Sequence, residues 1–178
     1  MSDNVLSADN QQERLRQTIN PWYIVGFVEG EGSFHVAFYK DKNMKYGIKI
    51  IPEFHISQSY LRISTLNEIQ NYFKCGYLKA NHKNNHNDDT HVLVVRDRMD
   101  LMEKIIPFFR KYPMLSIKQT SFELFSEVVN LMANKKHSEK DGVIKIIKLA
   151  YKMNISGKYR NVTEQSLINV VKSSETTC

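Results

Sequence analysis

The sequence predicts an α+β fold. Three features point to it: an apolar helical stretch over residues 20–30, period-two alternation over 33–58 followed by a second pair of short strands over 77–96, and helical apolar spacing through most of the last third. With 42% of its 178 residues hydrophobic, the chain can bury a sizeable core and lies near the usual ceiling for one compact domain. The expected division is a polar arm at 1–19, a single domain at 20–171 and a polar tail at 172–178.

Asn20 and Pro21 supply a helix cap and a first-turn proline, and the WYIVGFVEG that follows is apolar nearly all round, as in a helix held between two partners. Gly26 and Gly30 lie four apart, so they share a face and strip it of side chains. From Ser33 the period becomes two, with Phe34, Val36 and Phe38 alternating with His35, Ala37 and Tyr39. DKN at 41–43 supplies turn chemistry. A second strand from Lys45 to Gln58 then turns Ile48, Ile50, Phe54 and Ile56 inward and Lys49, Ile51, Glu53 and His55 outward, completing a hairpin.

Residues 60–73 place Leu61, Leu66, Ile69, Tyr72 and Phe73 at helical spacing, and Cys75-Gly76 is the expected stop. Two short strands, Tyr77 to Asn81 and His91 to Arg96, flank the polar loop HKNNHNDDT. Helices are expected from Met99 to Arg110, Ser116 to Met132, Ser138 to Met153 and Thr163 to Val171, the third opening on S-E-K-D as a capping box.

The formal charge of +6 favours an anionic partner, yet the excess is unevenly placed: residues 20–100 hold ten basic and nine acidic groups, residues 101–178 thirteen and seven. An outward strand face would therefore read a nucleic acid with mixed polar chemistry, and flanking groups such as Lys158 and Arg160 would contact phosphates. Cys75 and Cys178 make neither a disulfide framework nor a short-spaced metal pair, the opening MSDNVLSADNQQERLRQ is no secretory signal, and no apolar run suits a membrane span. The chain reads as intracellular. His82, His86 and His91 match no standard zinc spacing.

Chemistry concentrates at Glu29-Gly30-Glu31-Gly32-Ser33, where an apolar helix ends in two carboxylates. Acidic groups at a helix C-terminus oppose the macrodipole, so they do not stabilise the helix, and two such ends brought together would suit oxygen-liganded Mg²⁺. The segment also reads simply as an acidic terminus with a glycine stop. Gln58 carries a polar amide in an inward register, or marks a strand end emerging into solvent. Lys118 is a cation in the first turn of a helix, or an ordinary surface lysine.

WYIVGFVEGEGSF resembles the signature of the LAGLIDADG homing endonucleases, with Ile24 to Gly32 on its nine positions. FHISQ ending at Gln58, IIPFF, IKQTSFELF around Lys118 and SGKYRNVTEQS extend the resemblance to single-motif members over about residues 20–171. The resemblance implies an αββαββα core with C-terminal helices, and a saddle-shaped antiparallel sheet in the DNA major groove. It also implies that Glu31 and the Gly30 carbonyl bind Mg²⁺, that Gln58 orders the nucleophilic water, that Lys118 offsets charge near the scissile phosphate, and that Arg62 tunes the solvent network. One copy of the motif implies a homodimer through Ile24, Gly26, Phe27 and Gly30, cutting a near-palindromic site of about 20 base pairs. The outward residues His35, Tyr39, Lys49, His55, Lys79 and Asn81 are the candidate DNA contacts. An intron-encoded, organellar origin accompanies the family. The competing readings are an RNA maturase acting on its host intron RNA and a cleavage-inactive DNA-binding protein of the same fold.

Overall fold

The computed structural model describes residues 19–81, 89–153 and 162–174. Lys158, Arg160, His82, His86 and most of the N-terminal arm lie outside those residues. Helix α1 (Pro21–Glu31) starts as expected, with the Asn20 side chain accepting the Trp22 N–H at 2.8 Å and Pro21 in the first turn. Its inward face is Ile24, Val25 and Val28, all at 5% exposure or less, and each such burial contributes roughly 1.5–3 kcal/mol.

Strand β1 (Gly32–Lys40) leaves α1 without a loop. Gly32 makes that junction possible, because a Cβ there would lie 2.5 Å from Val28 Cγ1 and 2.8 Å from the Val28 carbonyl oxygen. β1 pairs antiparallel with β2 (Ile48–Ser59), from Gly32 opposite Ile56 to Lys40 opposite Ile48. The connection is longer than DKN alone: Asp41 accepts the N–H groups of Asn43 and Met44, and a second turn from Met44 to Gly47 delays β2 to Ile48. Tyr46 explains the delay, since it is buried in a second, smaller core with Ile48, Val143, Ile147, Leu167, Ile168 and Val171. Pro52 is tolerated inside β2 because it lies beyond the part of the strand that β4 accompanies, where one edge needs no donor.

A 3₁₀ turn at Tyr60–Arg62 precedes α2 (Ile63–Phe73). The helix ends at Lys74 in the left-handed conformation, one residue before the expected Cys75-Gly76 stop. Strands β3 (Tyr77–Ala80) and β4 (Thr90–Val95) complete one antiparallel sheet of order β1-β2-β4-β3. Phe34 and Val36 of β1 and Phe54 and Ile56 of β2 face the main core, where Phe34, Phe54, Phe109, Phe122 and Phe125 meet, while Ile48 on the same parity enters the second core; the odd-numbered residues face away.

The helix expected over Met99 to Arg110 carries Pro107, which has no N–H to donate and crowds the carbonyl four residues back. Its rod accordingly runs as α-helical Arg98–Asp100, π-helical Leu101–Ile105 and α3 (Ile106–Lys111). Then come α4 (Lys118–Ala133), α5 (Lys140–Met153) and α6 (Glu164–Ser173), the last extending past the expected boundary at Val171. Ser138 does not cap α5. It sits in a 3₁₀ turn, where its carbonyl accepts from Lys45 Nζ and the Tyr46 hydroxyl, and Glu139 pairs instead with Lys136.

Candidate active site and outer sheet face

The two carboxylates closing α1 have different surroundings. Glu29 Oε1 accepts the backbone N–H groups of Leu115 and Ser116 at 2.6 and 3.0 Å, tying the segment before α4 to the motif helix. Burial pushes the Glu29 carboxyl up, but the Ser116 hydroxyl, these two N–H groups and the Lys118 charge outweigh it, and the net pKa is lowered. Glu31, two residues on, is exposed, and its carboxylate receives no hydrogen bond or ion pair from the described residues.

Lys118 reaches the same helix end. Its Nζ donates to the carbonyl oxygens of Val28, Glu29 and Gly32 at 2.8, 2.8 and 2.7 Å. An ammonium has three N–H donors, so these three acceptors use all of them and close the C-terminus of α1 with a positive charge, where the macrodipole favours it. Burial lowers the Lys118 pKa, while Glu29 and Glu31 act in the opposite direction. The Gly30 carbonyl is not among the three acceptors.

Gln58 lies two residues beyond Ile56, the partner of Gly32, at the end of β2 that borders α1. It is half-buried, and its Oε1 accepts the Ser59 N–H at 2.8 Å. Arg62 is exposed in the following 3₁₀ turn. The fold thus gathers Glu31 and Lys118 at one helix end, with Gln58 on the adjoining strand.

The outward face of α1 is an apolar stripe. Tyr23 is 51% exposed and stacks on half-buried Phe27, and an added Cβ at Gly26 or Gly30 would meet nothing within 4 Å. Ile24 is a correction to the expected contact set. At 0% exposure it is wholly inside the chain's own core, and Tyr23 occupies the open stripe instead.

On the outer sheet face, Tyr39 and Lys49 are exposed, Lys79 is half-buried and Asn81 is exposed just past β3. His35 and His55 are engaged with a residue whose importance the sequence did not reveal. Glu53 is 7% exposed despite its outward register. Its Oε2 lies 3.0 Å from His35 Nε2 and 3.3 Å from His55 Nε2, while its Oε1 is 3.0 Å from Arg96 Nη2. Arg96 in turn lies over the Tyr77 ring, 5.4 Å from its centroid. Burial, reinforced by His35, Lys79 and Arg96, pushes the His55 imidazole down to about 3. Strand register brings these groups together, for Glu53 is directly opposite His35. The available signal was hairpin register: a turn confined to 41–43 would pair His35 with Lys49, and only the longer connection sets it against Glu53.

Comparison with known proteins agrees with this architecture. Residues 24–129 match the sequence profile of the family described as LAGLIDADG endonuclease. A Neurospora crassa protein named probable intron-encoded endonuclease 2 is 34% identical over 131 residues, covering 72% of this chain and 28% of the relative. The chain spans about a quarter of the length of such intron-encoded relatives. The crystal structure of the homing endonuclease I-TnaI superposes with a TM-score of 0.75 at 32% identity, covering 89% of this chain and 99% of that one. I-SmaMI, bound to an uncleaved DNA target in the presence of calcium ions, superposes with a TM-score of 0.74 at 26% identity, over 90% of this chain but only 50% of that one. With the motif helix, the sheet order and a profile match over more than half its length all in agreement, the chain belongs to the LAGLIDADG endonuclease family.

Proposed function

We propose that this chain is a site-specific DNA endonuclease that acts as a homodimer and hydrolyses phosphodiesters with a divalent cation. The observation that carries the reading is Glu31. It is a carboxylate that no described residue hydrogen-bonds or ion-pairs, at the end of a helix whose open face is apolar and notched by Gly26 and Gly30. A second copy covers that face by an isologous contact and sets a second Glu31 beside the first. Relatives named as endonucleases, and one solved with a DNA target, support the substrate.

Glu31 is an accessible hard-oxygen donor and fits Mg²⁺, with the Gly30 carbonyl as a second oxygen. Bound there, the ion would polarise the scissile phosphate and lower the pKa of a coordinated water. The protein's own groups do the positioning. Gln58, its Oε1 already accepting from Ser59, has its Nε2 amide left to hold a water beside the helix end. Lys118 acts as a fixed charge through space, since its three N–H groups already have backbone acceptors. Arg62, exposed in the turn that follows β2, would tune the surrounding solvent as a cation.

At about 3.3 Å per residue, the outer sheet face tracks roughly ten base pairs at ~3.4 Å each, and the pair tracks about twenty. Tyr39, Lys49, Lys79 and Asn81 offer the polar contacts, with Lys158 and Arg160 as phosphate ligands. The intron-encoded names among the relatives support an origin within an intron, and the organellar setting rests on the family resemblance. Selection of cut sequences from a randomised duplex library with Mg²⁺, run beside a Ca²⁺ control, tests the reading. Recovery of a near-palindromic site of about 20 base pairs is the expected result. Failure to cut any duplex, with tight binding to host intron RNA, would replace it by the maturase reading.

A further inference from the structure

We propose that His35, Glu53 and His55 form a second metal site, on the outer face of the sheet and separate from Glu31, for a borderline divalent ion such as Zn²⁺. The three ligand atoms lie within 4.8 Å of one another, two of them at 3.0 and 3.3 Å from Glu53 Oε2. A tetrahedral ion with bonds of about 2.0–2.1 Å holds its ligand atoms roughly 3.3–3.4 Å apart, so the two spacings to Glu53 are already near that of a bound ion, and the two imidazole nitrogens would close on it from within 4.8 Å of each other. Two imidazole nitrogens select Zn²⁺, Co²⁺ or Ni²⁺ over Mg²⁺, which sets this site apart from the all-oxygen chemistry at the end of α1.

A second observation points to a ligand. His55 Nε2 is buried and has no properly directed hydrogen bond, although it faces the Glu53 oxygen that His35 already approaches. One carboxylate oxygen between two imidazoles leaves a ring nitrogen orphaned, and an ion placed among the three would satisfy all of them. On binding, His35 carries its hydrogen on Nδ1 and turns the Nε2 lone pair to the metal, so a neutral ring needs no net loss of a proton. Arg96 fits an outer-shell role: it holds Oε1 at 3.0 Å and so fixes the carboxylate with Oε2 toward the imidazoles. The His35 and His55 side chains are 27% and 20% exposed, which leaves access from the outer face for the ion and for a completing water. An ion here would clamp β1 to β2 in the middle of the proposed DNA-reading surface.

The test uses the full chain, stripped with a chelator and titrated with Zn²⁺ at neutral pH by calorimetry. One ion per chain is expected in the unaltered protein. His35→Ala and His55→Ala should each weaken binding by more than the roughly tenfold to hundredfold typical of losing an outer-shell partner. Because either variant could unfold the hairpin, long-range ¹H–¹⁵N spectra of the unaltered chain provide an independent readout. Zn²⁺ should shift the Nε2 resonances of His35 and His55, and Mg²⁺ at the same concentration should not. The proposal is overturned if binding does not saturate, or if these two rings stay unmoved while another histidine responds.

Discussion

The end of α1 and the middle of the outer sheet face each place a glutamate on the side proposed to meet DNA, and they handle its charge in opposite ways. Glu53 is enclosed by His35, His55 and Arg96, and the Arg96 guanidinium balances its negative charge within the chain. Among the described residues, none hydrogen-bonds or ion-pairs Glu31. A carboxylate held near a phosphate backbone repels it unless something cationic lies between them. At Glu53 the Arg96 guanidinium meets the carboxylate from within the chain, whereas at Glu31 the proposed function calls for a cation from solution.

The sharpest way to break that contrast is to neutralise each carboxylate in turn. Glu31→Gln should cut the cleavage rate by about a hundredfold to a thousandfold or more, the range for losing a preorganised electrostatic group at a reacting centre. Its unfolding free energy should move by less than about 0.5 kcal/mol, because the side chain is exposed and no described residue hydrogen-bonds it, and target binding should persist. Single-turnover cleavage and urea denaturation read the two effects separately, and an unimpaired cleavage rate would remove Glu31 from the chemistry.

Lys118→Met strips a charged donor from three carbonyls and should cost about 2 kcal/mol, together with a loss of cleavage. Lys118→Arg should not restore stability fully, since a planar guanidinium does not match three converging acceptors. Glu53→Gln should cost about 1–2 kcal/mol, less than a fully buried pair because the Arg96 side chain is 46% exposed. Unlike Glu31→Gln, it should lower the denaturation midpoint while leaving the rate of the chemical step nearly unchanged.

The smallest effect belongs to Glu29. Its carboxyl is held below the ordinary glutamate value of 4.5, because the Ser116 and Leu115 contacts outweigh the effect of burial. The contribution is therefore complete above 4.5 and fades as pH falls through the lower folded-state value. Glu29→Gln should flatten that acid limb in denaturation curves recorded across pH. An acid limb as steep as that of the unaltered chain would mean that other carboxyls produce it.

Much of this was legible in the sequence, and what was not has a common cause. Asn20-Pro21, the alternation of Phe34, Val36 and Phe38, and the inward set Ile48, Phe54 and Ile56 report local geometry, which a one-dimensional pattern carries. The side facing outward was legible too, but the register was not. Parity survives any even shift of a hairpin, so the face of Glu53 could be read while its neighbours His35 and Arg96 could not. Ile24 failed for a related reason: a helix apolar all round does not say which side meets its own core, and only the packed chain assigns Tyr23, rather than Ile24, to the open stripe. The role of Glu29 depends on Leu115 and Ser116, more than eighty residues away, and nothing local encodes it.

The claim on which the rest depends is that two copies of α1 meet along the face bearing Gly26 and Gly30. Sedimentation equilibrium of the full chain at micromolar concentration, with and without duplex DNA, tests it most directly when run beside Gly26→Leu. The unaltered chain should sediment with the mass of two chains and the variant with the mass of one, because a Cβ at Gly26 meets nothing within 4 Å in one copy and, on the proposed contact, would obstruct a second. A single-chain mass for the unaltered protein with DNA present, or a two-chain mass for a folded Gly26→Leu variant, would contradict the account.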